Sequence, residues 1–285
     1  MKVCMIGGTG LLGSEGAREL IARGHQVKAI ALPPLPQGAV LPPEMEITYG
    51  NYLEMTDDEV RAMFAGCEGF VFAAGVDERV EGPAPIYDLF KKYNIDSLNR
   101  LLRIAKECGV KHTVVLGSYF SYFAKEWPHM RLAEYHPYIR SRIDQEKMAL
   151  GYAGPDFDVA ILELPYIFGT QPGRKPVWVF LVENIRSMKG VTMWPKGGST
   201  MVTVKQVGQA IAGALERNHG GNCYPIGWYN LTWKEMLRIC HKYLGCPEKK
   251  IVTIPNWMYA IGDSIRLCVD ILDGKAKNIV AMKGE

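Results

Sequence analysis

The sequence predicts an α/β fold in which a parallel β-sheet is covered by helices on both faces. Short apolar runs rich in β-forming residues alternate with helical stretches through residues 1–165. These runs are nearly continuous in their apolar character, as expected for strands that are buried on both faces. A glycine-rich turn joins the first strand to the first helix. Right-handed crossovers between such strands predict the doubly wound arrangement.

Each element of this alternation has its own signal. The β-rich runs predict six strands, at KVCMIG, HQVKAIAL, MEITYG, GFVFAAG, HTVVLGS and DVAILELP. Helical spacing of apolar residues predicts helices over 11–23, at DDEVRAMFAG, over 86–109 and over 137–151. Between the second and third strands, residues 32–44 carry five prolines, which preclude a regular helix. We expect a stiff surface loop there.

The alternation loosens after Pro165. We predict a helix near 176–188, a strand near 201–204, a helix over 205–217, a strand at NCYPIG and helices near 232–245 and 255–273. We therefore divide the chain into a sheet domain, 1–165, and a smaller C-terminal substrate lobe, 166–285, that is partly interleaved with the sheet.

Composition excludes several classes of function. The chain has 285 residues, 48% of them hydrophobic and 22% charged, with a net charge of +3 and no basic cluster, so we expect no nucleic-acid partner. No apolar run approaches the ~20 residues that cross a bilayer, and the first residues do not match the pattern of an export signal, so we expect neither a membrane partner nor export. Seven cysteines without a CxxC pair, and no zinc-like spacing, predict a cytoplasmic protein without a metal site.

The glycine-rich turn is the strongest functional signal. Gly8, Gly10 and Gly13 fit GxGxxG, and Gly7, Gly10 and Gly13 fit GxxGxxG. Such a turn, which includes Leu11 and Leu12 here, lets a diphosphate lie against bare backbone N–H groups at the positive end of a helix dipole. We therefore predict a Rossmann-type dinucleotide-binding domain, a purely structural tight turn being the alternative.

The end of the second strand bears on which dinucleotide binds. An acidic residue that accepts both ribose hydroxyls is expected about 20 residues after the turn. The strand ends instead in Ala29-Ile30-Ala31-Leu32-Pro33. The absence of a carboxylate removes the repulsion of a 2′-phosphate, although no arginine is present to bind one. We predict NADP or NAD, with a slight preference for NADP.

At this point the chain resembles the extended and atypical short-chain dehydrogenase/reductases, also called NAD-dependent epimerase/dehydratases. The similarity covers most of the chain and depends on GGTGLLG, FAAG, YNIDSLNRLLRIAKECGVKHTVVLGS, ELPYIFG and VKQVGQAIAGALE. It implies a Rossmann fold, a small-molecule substrate and a possible homodimer. It also implies cofactor contacts at Ala73, Ala74, Gly75 and Pro165, an ordering role for Asn94, and an altered adenine contact at Asn51, where the family usually has aspartate.

The resemblance also implies a catalytic group: a Ser/Thr after the fifth strand and Tyr-xxx-Lys on the next helix. A tyrosine has a pKa near 10 and needs a nearby cation to act near neutral pH, and the four-residue spacing puts both side chains on one helix face. Ser118 matches the serine, with Ser121 as second choice, and Tyr138 matches the tyrosine. Arg142 stands in place of the lysine, and the resemblance implies that Tyr138 and Arg142 also contact the cofactor. Alternatively, Tyr138 is a packing residue and Arg142 pairs with Glu146.

Three aromatic residues are candidate substrate contacts because they follow strands five and six: Tyr119, Tyr166 and Phe168. Ordinary packing is the alternative for each. Taken together, the sequence predicts an NAD(P)-dependent oxidoreductase that transfers hydride at a carbonyl or hydroxyl carbon of a small organic substrate, a reductase being our first choice. The alternatives are an epimerase or dehydratase of a sugar-like substrate, and a non-catalytic NAD(P)-binding sensor.

Overall fold

The computed structural model of the chain describes residues 1–35, 37–255 and 258. The helix predicted over 255–273 lies almost wholly outside these residues. The strands within the described ranges are β1 (Lys2–Ile6), β2 (Gln26–Ala31), β3 (Glu46–Tyr49), β4 (Gly69–Phe72), β5 (His112–Leu116), β6 (Asp158–Glu163), β7 (Tyr166–Phe168), β8 (Val191–Pro195), β9 (Gly198–Thr203), β10 (Gly221–Pro225), β11 (Tyr229–Thr232) and β12 (Lys250–Ile254).

The α-helices of the same ranges alternate with these strands. They are α1 (Leu11–Ala22), α2 (Asp57–Phe64), α3 (Ile86–Phe90), α4 (Ser97–Glu107), α5 (Tyr119–Glu126), α6 (Leu132–Tyr135), α7 (Pro137–Leu150), α8 (Val179–Ser187), α9 (Val204–Arg217) and α10 (Trp233–Tyr243). No helix in the described part of the chain is both long enough and apolar enough to cross a membrane.

A seven-stranded parallel sheet forms the centre of the molecule. Its order is β10-β6-β5-β4-β1-β2-β3, and each neighbouring pair is parallel. The chain moves outward from β1 in one direction through β2 and β3, and in the other direction through β4, β5 and β6. The predicted doubly wound fold is thereby confirmed. Ligands of such sheets bind outside the carboxyl ends of the strands where the order reverses, which here lies between β1 and β4.

Both faces of the sheet are buried. Along β1, Cys4 and Ile6 pack into one apolar cluster with Phe70 and Leu101, whereas Val3 and Met5 pack into another on the opposite face. This alternation follows from the two-residue period of a strand. The near-continuous apolar character of the strands is therefore explained by helices on the two sides.

Two small sheets lie outside the central one. One has the order β11-β9-β7 and the other pairs β12 with β8. Their own apolar cluster is centred on Ile185, Met201 and Leu237. The strand predicted at NCYPIG becomes β10, which pairs with β6 at the edge of the central sheet. The part of the chain after residue 165 therefore both extends the sheet and forms separate β-structure.

The long helix predicted over 86–109 is not uniform. It contains α3 and α4, joined by a π-helical turn at Lys91–Asp96. Such π-bulges often occur at functional sites. A further helix, α5, was not predicted from the sequence; its eight residues YFSYFAKE begin directly after Ser118.

Candidate functional site

The glycine-rich turn lies at the carboxyl end of β1, at the point where the strand order reverses. Gly7 has φ +80°, a conformation that favours glycine, and a Cβ there would overlap the carbonyl oxygen of Ala73. A Cβ at Gly13 would overlap the carbonyl oxygen of Gly7. Both glycines are therefore needed for the backbone to fold closely upon itself, whatever binds there.

Gly10 has a different role. It is the N-cap of α1, with φ −76°, and no side chain caps the first amides of this helix. A Cβ at Gly10 would lie 3.2 Å from the Gly7 carbonyl oxygen, which is tight but not an overlap. The absence of a side chain at Gly10 thus leaves the N-terminal N–H groups of α1 uncapped. These features fit the diphosphate of a nicotinamide dinucleotide, since helix N-termini of this kind bind phosphates.

The residues predicted for the adenosine side lie at the ends of β2 and β3. β2 ends at Ala31, followed by the exposed Leu32, so no carboxylate stands at its end. Asn51 is half-buried after β3, and its Oδ1 accepts a hydrogen bond from the N–H of Leu53 at 3.2 Å. The amide of Asn51 therefore shapes the turn after β3, and its predicted contact with adenine stays a prediction.

Tyr138 and Arg142 lie one helical turn apart on α7 and are hydrogen-bonded to each other. The Nε of Arg142 donates to the hydroxyl oxygen of Tyr138 at 3.0 Å. Both residues are buried, with exposed fractions of 4% and 7%. The rings of Phe90 and Phe120 pack against Tyr138, with centroids at 5.5 and 6.2 Å. The guanidinium is thus placed to stabilise negative charge on the phenolic oxygen.

A hydrogen-bond network holds Arg142 in this position. Its Nη1 donates to Gln145 Oε1 at 2.8 Å, and its Nη2 donates to the carbonyl of Val76 at 3.3 Å. Gln145 Nε2 in turn donates to the carbonyl of Asn94, in the π-helical turn, at 2.6 Å. Gln145 was not among the residues predicted from the sequence. Its spacing of three residues from Arg142, on the same helix face, was the available signal.

Asn94 orders the backbone after β4, as the resemblance implied. Its Oδ1 accepts from the N–H of Val76 at 2.8 Å, and its Nδ2 donates to the carbonyl of the same residue at 3.1 Å. Gly75 precedes this pair with φ +114°, and a Cβ there would lie 2.5 Å from Asn94 Oδ1. Ala73, Ala74 and Gly75 are therefore brought beside the glycine turn and the Arg142 network, while Pro165 lies between β6 and β7.

Ser118 begins α5 as its N-cap. Its hydroxyl oxygen accepts a hydrogen bond from the N–H of Phe120 at 3.3 Å, and the side chain is buried. No hydrogen bond joins Ser118 to Tyr138 within the described ranges. The ring of Phe120, packed against Tyr138, nevertheless places the start of α5 beside α7. Because Ser118 accepts as a cap, its own O–H remains able to donate to a ligand.

Ser121, the second choice for the serine, belongs to a buried charged cluster instead. Its hydroxyl lies within hydrogen-bond distance of Glu146 and of the carbonyl of Ser118, the latter at 2.6 Å, and donates to one of these two acceptors at a time. Lys125 Nζ lies 3.0 Å from Glu146 Oε2 and 2.6 Å from Glu163 Oε1. The alternative pairing of Arg142 with Glu146 is therefore wrong. Glu146 is occupied by Ser121 and Lys125, and Arg142 by Tyr138 and Gln145.

The pKa values in this cluster reflect burial and charge. Burial raises the pKa of the Glu163 carboxyl, against an opposing hydrogen bond from Lys125. For Lys125, burial lowers the pKa, but the hydrogen bonds to Glu163 and Glu146 outweigh it and raise the pKa above its usual value. Burial raises the pKa of the neighbouring Cys223 thiol to about 12, so this thiol is protonated at neutral pH. Through Ser121 the cluster is bonded to the backbone carbonyl of Ser118.

The comparisons with known proteins agree with the fold. The sequence profile of the NAD dependent epimerase/dehydratase family matches residues 3–227. The chain belongs to this family of NAD-dependent enzymes. No curated protein sequence matches the chain.

Solved structures share the fold at low sequence identity. A nucleoside-diphosphate-sugar epimerase from Pseudomonas aeruginosa is 17% identical, with a TM-score of 0.68, covering 94% of this chain and 85% of its own. A dTDP-glucose 4,6-dehydratase double mutant from Streptomyces venezuelae, with NAD and DAU bound, is 18% identical, with a TM-score of 0.66 and coverages of 90% and 84%. A UDP-N-acetylglucosamine 4-epimerase from Bacillus cereus is 13% identical, with a TM-score of 0.67 and coverages of 90% and 88%.

The aromatic residues predicted to contact substrate fall into two groups in this family member. Tyr166 and Phe168 lie on β7 and stack against Trp178, with ring centroids at 4.9 and 5.3 Å. Tyr119 lies on α5, where its ring centroid is 4.9 Å from that of Tyr122. Each of the three has packing partners in the protein, and each is only half-buried. Their contact with substrate stays a prediction.

Proposed function

We propose that the protein catalyses an epimerase- or dehydratase-type reaction on a small, sugar-like substrate, with NAD or NADP as a cofactor that is regenerated in each turnover. The observation that carries this proposal is the hydrogen bond from Arg142 Nε to the Tyr138 hydroxyl at 3.0 Å, beside the carboxyl ends of the sheet strands. A nicotinamide cofactor supplies hydride acceptance and donation at a carbon of the substrate. The protein's own residues handle the proton and the oxygen.

Tyr138 acts as the proton-transfer group in this proposal. Its oxygen takes the proton of a substrate hydroxyl while the carbon that bears this hydroxyl is oxidised. It returns the proton when the same carbon is reduced. Arg142 stabilises the phenolate that is present before this proton is taken up and again after it is returned, since the charge of Arg142 is permanent. Ser118 donates its O–H to the substrate oxygen and thereby orients it.

The comparisons favour a reaction without net oxidation or reduction over a reductase. The matching family model is that of epimerases and dehydratases, and the similar structures include a nucleoside-diphosphate-sugar epimerase and a dTDP-glucose 4,6-dehydratase. In such a reaction Tyr138, which is 4% exposed, returns to the substrate the proton that it has taken up, and no proton is drawn from solvent.

The test follows both product and cofactor. Three nucleotide sugars are tested, each in a separate incubation with the protein and limiting NAD: UDP-glucose, UDP-N-acetylglucosamine and dTDP-glucose. Products are identified by NMR, and NADH is followed by absorbance. We expect an epimerised or dehydrated product in large excess over NADH. Tyr138→Phe is expected to lower turnover by roughly 10²–10⁴-fold while NAD still binds. Formation of NADH in stoichiometry with product contradicts the proposal and supports a dehydrogenase. Consumption of NADH in stoichiometry with product, when NADH is supplied in place of NAD, also contradicts it and supports a reductase.

Two further outcomes address the remaining alternatives. Turnover that is unchanged in Tyr138→Phe removes the assignment of Tyr138. Binding of NAD by a wild-type protein that converts none of a broad panel of sugar and carbonyl substrates favours the non-catalytic sensor.

For the cofactor itself, the end of β2 has neither a carboxylate nor an arginine. We therefore expect NADH and NADPH to bind with dissociation constants within about tenfold of each other.

A further inference from the structure

A cavity of about 380 Å³ lies beside the first residue of α1. It is lined by Leu11 and by residues of the loop between β7 and α8, among them Gln171, Arg174 and Lys175. This loop belongs to the part of the chain that follows the sixth strand. It therefore brings side chains from outside the glycine turn to the uncapped N-terminus of α1.

Gln171 ties the loop to the turn. Its Nε2 donates to the carbonyl of Thr9 at 3.0 Å and to Ser14 Oγ at 3.1 Å. The carbonyl of Thr9 can only accept, which fixes the orientation of the amide. The Oε1 of Gln171 is left without a hydrogen-bond partner in the described part of the chain, although the residue is only 6% exposed. A buried carbonyl oxygen of this kind needs a donor, such as a hydroxyl or an amide of a ligand.

Two positively charged side chains line the same cavity. Arg174 is exposed and makes no ion pair with the described residues, and Lys175 has its carboxylate neighbour, Glu183, at a distance of 4.0 Å. Both positive charges adjoin the positive end of the α1 dipole. Like charges gathered in this way favour an anion between them, and a guanidinium binds phosphate oxygens in bidentate fashion.

We propose that Arg174 binds the diphosphate of the nicotinamide cofactor from the side opposite the glycine turn, and that Gln171 Oε1 accepts a hydrogen bond from a ribose hydroxyl of the same ligand. This inference rests on the proposed function, because it requires a dinucleotide at the turn. A nucleotide-sugar substrate also carries a diphosphate. The cofactor is the better match because Gln171 is bonded to Thr9, within the turn itself, and Leu11 opens the helix that the turn begins.

The test compares ligands that differ only in the groups the cavity recognises. Binding of ADP-ribose, UDP and adenosine is measured by calorimetry for the wild type, Arg174→Ala and Arg186→Ala. Arg186 is a matched control, since it is an exposed arginine on α8 that does not line the cavity. We expect Arg174→Ala to weaken ADP-ribose binding about tenfold, to leave adenosine binding unchanged, and to reduce the salt dependence of ADP-ribose binding. Arg186→Ala should change none of these.

The outcomes separate this inference from the function on which it rests. Equal ADP-ribose affinity in the wild type and Arg174→Ala overturns the assignment of Arg174 and leaves the cofactor site intact. A loss of UDP binding alone in Arg174→Ala overturns the cofactor source and assigns the cavity to a substrate diphosphate. A wild-type protein that binds neither ADP-ribose nor NAD contradicts the proposed function itself, and this inference with it.

Discussion

Arg142 differs from the lysine of the family's pattern in the number of groups it can hold at once. Its three nitrogens donate to the Tyr138 hydroxyl, to Gln145 Oε1 and to the Val76 carbonyl. A planar guanidinium reaches all three because its donors point outward in a fixed fork. An ammonium on a lysine is a compact charge and does not reproduce this geometry. Gln145 and the π-helical turn are therefore part of the structure that holds Arg142 in position.

Substitution at Arg142 tests whether its charge acts on Tyr138. Arg142→Met removes the cation, so the phenolate is no longer stabilised. We expect activity near neutral pH to fall by roughly 10²-fold and the pH–activity profile to move to higher pH. Arg142→Lys keeps the charge and should retain the wild-type profile at a rate reduced about tenfold. The measurement is kcat against pH for each variant.

A nearby arginine provides the control. Arg140 lies on the same helix with an exposed side chain, and Arg140→Met should leave both rate and profile unchanged. A wild-type pH profile in Arg142→Met contradicts the role assigned to the Arg142–Tyr138 pair.

At the scale of elements, α1 is held in place by close packing against α9. A Cβ at Gly208 of α9 would lie 2.8 Å from the backbone oxygen of Glu15 in α1. A Cβ at Gly16 of α1 would lie 2.8 Å from Ile211 Cδ1 in α9. These two glycines let the helices approach, and the position of α1 decides where its N-terminal amides point.

Two alanine substitutions within α9 separate packing from helix propensity. Gly208→Ala must push α9 from α1, and we expect it to destabilise the protein by about 1–3 kcal/mol. A Cβ at Gly213 would meet no neighbouring heavy atom of the described residues within 4 Å, so Gly213→Ala should stabilise the protein by about 0.5–1 kcal/mol. The free energy of unfolding in urea gives both values. A stabilising Gly208→Ala contradicts the close packing.

The buried cluster at the start of α5 predicts a pH-dependent stability. Glu146 and Glu163 are 5% and 1% exposed, and Lys125 is the cation bound to both. Lys125→Met leaves two buried carboxylates uncompensated, which should cost about 1–3 kcal/mol at pH 8, less than for a fully buried pair because Lys125 is 43% exposed.

The sign of the pH effect follows from the raised pKa of Glu163. The folded protein keeps the Glu163 carboxyl protonated to higher pH than the unfolded chain does. Protonation of Glu163 therefore stabilises the folded state below the ordinary carboxyl pKa, and this stabilisation is lost as the pH rises through the pKa of the folded state. The loss of stability caused by Lys125→Met should accordingly become smaller as the pH falls from 8 to 5. Lys91→Met, at an exposed pair with Asp96, is the control and should cost little at either pH. An equal deficit at both pH values contradicts this explanation.

The sequence predicted the elements whose signals are local and missed those that depend on tertiary contacts. The strands from β1 to β6 were predicted because each is a short run rich in apolar and β-branched residues. In β1, β4, β5 and β6 nearly every residue is buried, whereas β3 lies at the sheet edge and is partly exposed. The turn at Lys91–Asp96 was not, because a π-bulge leaves the apolar spacing nearly unchanged and is fixed by contacts of Asn94 with Val76 and Gln145. The partner of Arg142 could be narrowed only to Tyr138 or Glu146, since both lie one turn away on α7.

At the scale of the whole molecule, the part of the chain after residue 165 returns to the central sheet twice. β10 pairs with β6 at the sheet edge, and α9 packs on α1. The loop between β7 and α8 also reaches the glycine turn through Gln171. Nucleotide binding should therefore stabilise the chain beyond the first domain. The predicted homodimer, the cytoplasmic location and the division at residue 165 stay predictions.

The role of the glycine turn as a diphosphate site is the central claim, and Gly10 tests it most directly. Gly10 has a φ open to any residue and no overlap at its Cβ position, so Gly10→Val should fold, as judged by its circular dichroism and unfolding midpoint. Calorimetric titration with NAD then gives the decisive value. We predict that the dissociation constant rises at least about tenfold in Gly10→Val, because the side chain covers the amides that hold the phosphates. An unchanged dissociation constant in the folded variant contradicts this claim.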